Sequence, residues 1–157
     1  MRLIHIIKKR VNIKMKLLFL LAACLSCINT LYAGPLHNAA FANNTQKINM
    51  LINNGESIDE INSEGSWPLL VAVTYSNLEA VKALIKYGAN VNRENNHGYT
   101  ALHEAASMAD RKMVLLLLKN NANINKRDIN QYTALTYAQL SGSEKLVRML
   151  KRKGAIE

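Results

Sequence analysis

The sequence predicts an all-α solenoid of four helix–turn–helix repeats joined by hairpin loops. A seven-residue stretch, Thr100-Ala101-Leu102-His103-Glu104-Ala105-Ala106, recurs at a spacing of 33 residues. Its copies are Gly34-Pro35-Leu36-His37-Asn38-Ala39-Ala40, Trp67-Pro68-Leu69-Leu70-Val71-Ala72-Val73 and Thr133-Ala134-Leu135-Thr136-Tyr137-Ala138-Gln139. Downstream positions keep that register: Leu51, Leu84, Leu117 and Leu150; Ile48, Val81, Val114 and Val147; Gly55, Gly88, Asn121 and Gly154. Within a unit, Leu102, Ala105 and Ala106 share one helical face behind a capping Thr100. A fixed period without insertions marks a stacked array, in which each unit buries its apolar face against its neighbours.

Residues 1–33 lie outside the array. Arg2, Lys8, Lys9, Arg10, Lys14 and Lys16 form a basic start, an apolar run follows from Leu17 to Ala23, and a small residue stands at Ala33. That layout predicts a secretory signal peptide removed after Ala33, and its proportions are ordinary if Met15 is the true start. A retained transmembrane anchor is the competing reading. It is disfavoured because Ser26, Asn29 and Thr30 interrupt a stretch already shorter than the ~20 apolar residues a span needs. A third reading rests on Leu21-Ala22-Ala23-Cys24, which resembles the bacterial lipobox, where the cysteine after the cut carries lipid. Otherwise Cys24 and Cys27 are small apolar residues of the signal.

The repeats divide at about 34–62, 63–95, 96–128 and 129–157. Pro35 and Pro68 suit the first helical position, where the missing N–H has no intrahelical partner to lose. Ala39, Ala72, Ala105 and Ala138 are small enough for close helix approach. Gly55, Gly88 and Gly154 permit a left-handed cap after the second helix, and Asn121 is the best ordinary substitute. In the third repeat the first helix is expected near 101–108, the second near 111–119 and a hairpin loop near 121–132. In the last repeat Gln139, Lys151 and Glu157 replace apolar residues of the earlier units. The array is therefore expected to end there with a polar outer face. Asp59, Asn92 and Asn125 recur four residues after the cap, where a short polar side chain would hold the hairpin backbone by local hydrogen bonds.

The repeat length and the T-P-L-H-x-A pattern resemble the ankyrin repeat across residues 34–157. Departures are local: Trp67 for the Thr, Leu70 and Thr136 for the His, Ala101 and Ala134 for the Pro. The resemblance implies that His37 and His103 brace the neighbouring loop and that the chain is a non-enzymatic protein-binding module. It also implies that a partner is gripped by the concave side, on hairpin tips and exposed parts of the first helices. Those positions here include Glu64, Ser66, Tyr75, His97, Tyr99, Glu104, Met108, Asn130, Tyr132 and Tyr137. Tyrosine suits such a surface because it offers large amphipathic contact area at low entropy cost. Each tyrosine could equally be a half-buried spacer between repeats.

Charge narrows the partner class. The chain carries 20 basic and 11 acidic residues, a net of +9, but six of the basic ones and no acidic one lie before Gly34. Residues 34–157 keep 14 basic and 11 acidic groups, a net of +3, and the case for nucleic acid largely disappears. Both cysteines precede Gly34, so a cleaved chain forms no disulfide. No Gly-rich phosphate loop, nucleophile elbow or clustered Cys/His set appears, and His97 reads as a loop residue. No enzyme, cofactor, metal or small-molecule substrate is expected, and the chain should be a monomer. The partner is expected to be another protein. The alternative is an envelope-tethered accessory protein that contacts an acidic surface through Lys151, Arg152 and Lys153. Those residues are otherwise a solvated cap at a helix C-terminus.

Overall fold

The computed structural model describes residues 34–156, so the expectations for the first 33 residues and for Glu157 fall outside it. Among the described residues eight helices follow, a shorter and a longer one in each repeat: α1 Pro35–Phe41, α2 Thr45–Asn53, α3 Pro68–Thr74, α4 Leu78–Lys86, α5 Ala101–Ser107, α6 Arg111–Lys119, α7 Ala134–Leu140 and α8 Glu144–Arg152. The period appears directly, since every first helix has seven residues and every second helix nine. The third repeat follows the predicted boundaries, its first helix ending at Ser107 with Met108 as cap. Among the described residues the only extended pairing is an isolated bridge between Glu94 and Thr100 in one hairpin. No helix among them is long and apolar enough to cross a membrane.

The helices form two layers. The first helices pack in a row, α1 on α3, α3 on α5 and α5 on α7, and each second helix packs behind its own partner. The small residues make this approach possible: Ala39, Ala72, Ala105 and Ala138 are fully buried between neighbours. The second layer contributes Leu84, Leu117 and Leu150, all completely buried, whereas Leu51 in the first repeat is only partly covered. At the far end Gln139 is exposed where Ala40, Val73 and Ala106 are buried, and Lys151 is exposed where Ile52, Ile85 and Leu118 are half-buried. Asn121 adopts the left-handed conformation at φ 64° and takes the place of the glycine cap.

The histidine brace is present twice. Nε2 of His103 lies 3.0 Å from the Lys126 carbonyl, and Nε2 of His37 lies 3.0 Å from the Ser66 carbonyl. Repeat two has neither the Thr nor the His and closes differently. Trp67 is fully buried in the cap position, and the Arg93 guanidinium from the following hairpin sits 5.8 Å from its ring centre.

The expected role of Asp59, Asn92 and Asn125 needs correction: they hold the next repeat, not their own loop. Oδ1 of Asn92 accepts from the Asn123 N–H at 2.7 Å, and its Nδ2 donates to the Asn121 carbonyl at 2.9 Å. Asn125 repeats this pair with Ile156 and Gly154, and the Asp59 carboxylate accepts from Asn90. The stack brings the next repeat's cap, some thirty residues on, to the place where a local loop amide would otherwise sit.

Candidate functional site

Each hairpin tip is built on one side chain. Oδ1 of Asn62 accepts from the N–H groups of Glu64 and Ser66; Asn95 does the same for His97 and Tyr99, and Asp128 for Asn130 and Tyr132. Backbone bonds from each of these residues to the residue four on close the loop. The second and third tips are also clasped together, because Ile129 N–H donates to the His97 carbonyl at 2.8 Å. Gly98 allows that approach. A Cβ there would stand 3.2 Å from Asp128 Cα and 3.3 Å from the Arg127 carbonyl oxygen.

On this clasp the chain assembles an aromatic cluster. Tyr99 stacks on His103 with centroids 5.4 Å apart, and Tyr137 meets Tyr99 edge-on at 5.4 Å and His103 at 5.5 Å. Tyr132 completes the row, 6.0 Å from Tyr137. Offset and edge-on geometries such as these are the favourable ones for aromatic pairs. The phenols are tied to carboxylates: Tyr99 donates to Glu104 Oε2 at 2.8 Å and Tyr137 to Asp128 Oδ2 at 2.6 Å.

Electrostatics fix the protonation of the group. Burial, and then the Asp128 carboxylate, push the Tyr137 phenol up to about 12, and burial first among several causes raises Tyr99 as well. Burial alone would raise the Asp128 carboxyl. Hydrogen bonds from the Tyr137 hydroxyl and the N–H groups of Tyr132 and Asn130 outweigh it and hold the group below the usual carboxylate range. His103 is lowered chiefly by burial. Its geometry agrees, because Nδ1 accepts from the Thr100 N–H at 3.0 Å and must be bare to do so. Nε2–H then donates to Lys126. The hydroxyls of Tyr99 and Tyr137 are committed to carboxylates. Of these rings Tyr132 is the exposed one, at 42%, while His103 is buried.

The ten sequence-predicted positions separate into groups. Tyr99, Glu104, Tyr132 and Tyr137 converge, with His97 and Asn130 exposed on the adjoining tips. Glu64 is exposed on the first tip, and Ser66 is half-buried with its carbonyl occupied by His37. Tyr75 and Met108 cap the opposite ends of the first helices, a helix length of ~10 Å away. There Tyr75, 55% exposed, lies edge-on to Phe41 at 4.5 Å. Sequence reasoning missed Asp128 and the central place of His103. The register Asn62, Asn95, Asp128 was the available signal for the first. Among the described residues no three His, Cys, Asp or Glu side chains converge as a metal site requires.

Paired short helices in two layers and hairpin tips ordered by a recurrent Asn or Asp define a tandem-repeat scaffold. The chain belongs to the ankyrin repeat family: the profile for ankyrin repeats (3 copies) matches residues 36–128, more than half of its length. The repeat formed by α7 and α8 lies beyond that match and carries the same helix pair. Ankyrin repeats generally serve as protein–protein interaction modules and are typically non-enzymatic. No curated protein matches the chain.

Proposed function

We propose that this chain is an exported, non-enzymatic module that docks a partner protein on the hairpin and first-helix side of repeats three and four. The observation that carries the reading is the cluster that Tyr99 and Tyr132, at the feet of two clasped hairpins, form with His103 of α5 and Tyr137 of α7. Rigid aromatic groups lose little entropy on binding, and such groups dominate the energetics of interfaces. Tyr132 is 42% exposed and offers the most open ring face of the four.

The test is capture of a partner from the organism's own secreted and envelope fractions by the immobilised protein. Changing Tyr99 and Tyr132 to Ala should abolish capture and leave the helical circular dichroism intact, since buried aromatic anchors can each contribute about 2 kcal/mol or more. Loss of the partner only when Lys151, Arg152 and Lys153 are neutralised would instead favour electrostatic contact with an acidic surface. Export rests on the basic, apolar and small-residue layout of residues 1–33. N-terminal sequencing of the exported protein checks it. Gly34 as first residue is the expected result, a lipidated Cys24 gives the tethered form, and an intact N-terminus on a cytosolic protein contradicts export.

A further inference from the structure

The second-helix side carries a groove of different chemistry. It runs between α6 and the end of α8, with Leu115, Leu118 and Ile124 along it and Lys119 and Lys153 at its edges. Leu118 and Ile124 occupy positions that are apolar in the preceding repeats too, as Ile85 and Val91, so the stack itself requires them. Leu115 and Lys153 are not explained that way. One repeat earlier the equivalent of Leu115 is Lys82, which pairs with Glu79 at 2.7 Å, and the equivalent of Lys153 is Asn120. Leu115 is 40% exposed, an apolar side chain where the fold accepts a lysine. Lys119 ends α6 and Lys153 caps α8, where a cation favours the helix dipole, but that preference gives no reason for the leucine between them.

Charge separates the two ends of the array. Residues 34–104 hold 4 basic and 7 acidic groups, while residues 105–157 hold 10 basic and 4 acidic. Of the basic side chains near this groove, neither Lys119 nor Lys153 makes an ion pair among the described residues. An occupant that satisfies this site must bring negative charge to two lysines and apolar side chains to the leucines between them.

We propose that this groove is a second docking site, separate from the tyrosine cluster, for an acidic amphipathic helical segment of a partner protein. A helix suits the groove better than a bilayer does, because a recessed floor is filled by side chains and not by a flat headgroup layer. Apolar residues at i and i+4 on such a helix reach Leu115 and Leu118, while flanking carboxylates reach the lysines.

The experiment uses the full chain and a fluorescein-labelled peptide with Leu along one helical face and Glu on the others, followed by fluorescence anisotropy at 0.1 M salt. Saturable binding is expected. The decisive variant is Leu115→Lys, which restores the residue type of the neighbouring repeat and so preserves folding. A merely electrostatic contact would tighten with the added charge, whereas the groove predicts roughly tenfold weaker binding, the equivalent of about 1.4 kcal/mol. Lys119→Ala and Lys153→Ala should each weaken binding several-fold, and the Tyr99→Ala/Tyr132→Ala pair should leave it unchanged. Absence of peptide binding, tighter binding by Leu115→Lys, or binding only to phosphatidylglycerol vesicles would overturn the proposal. None of these results bears on capture through the tyrosines.

Discussion

Gln131 is held at φ 65° where the two preceding hairpins have Gly65 and Gly98 at the same step. An L-residue in the left-handed region is strained by roughly 1–2 kcal/mol, and the Gln131 side chain is exposed. Gln131→Gly should therefore raise the unfolding free energy by roughly 0.5–1 kcal/mol after the added freedom of the unfolded chain is subtracted. Urea titration reads this directly, and a fall in stability would contradict the strain. Gly98→Ala should act in the opposite sense, since it adds both the strained φ and a Cβ against the Asp128 backbone. His103 gives the residue-scale pH dependence. Its folded pKa is lowered, so below about 6.5 the unfolded chain takes up a proton that the folded chain resists, and stability falls as pH drops from there toward the folded value. Asp128, also lowered, adds a second loss only below its ordinary value of 3.8. Urea midpoints should be level between about pH 7 and 9, decline below 6.5, and decline again above about 10, where the unfolded tyrosines ionise and the raised Tyr99 and Tyr137 resist. His103→Asn should be less stable throughout, with a shallower decline.

At the scale of helices and hairpins, Leu117 sits with no exposure in the last turn of α6, and Leu117→Ala should cost about 2–5 kcal/mol by opening a cavity. In a one-dimensional stack that loss reaches the neighbouring repeats, and thermal denaturation should show it as a large drop in midpoint. A Leu117→Ala variant as stable as its parent would contradict the packing. The helices and their ends were legible because apolar spacing and cap residues are local properties that recur every 33 residues. The Asn ladder was not legible in the same way. Asn92 reaches atoms 29 and 31 residues ahead, and only the stacked geometry shows that these lie closer than its own loop. The site was half legible for a similar reason. Tyr99, Tyr132 and Tyr137 stand out as large residues at variable positions, but Asp128 and His103 look structural until the rings are seen to gather on them. Tyr75 and Met108 share the first-helix layer with the cluster, yet they mark its opposite edge.

For the whole molecule, Tyr132 and Tyr137 of the tyrosine platform lie within residues 105–157, which carry most of the positive charge, and Tyr99 and His103 stand just before that stretch. A partner held by rings and a partner held by exposed lysines therefore differ in salt response. Ring burial persists at moderate salt, whereas exposed charge contact fades as the screening length falls from ~10 Å at 0.1 M to ~3 Å at 1 M. The central claim concerns where the partner sits, and amide hydrogen exchange of the full chain with and without the captured partner tests it most directly. Docking on the platform should slow exchange in the hairpin stretches 95–100 and 128–133 and in the first turn of α7. Protection confined to α8 and residues 151–153, with those hairpins unchanged, would contradict it.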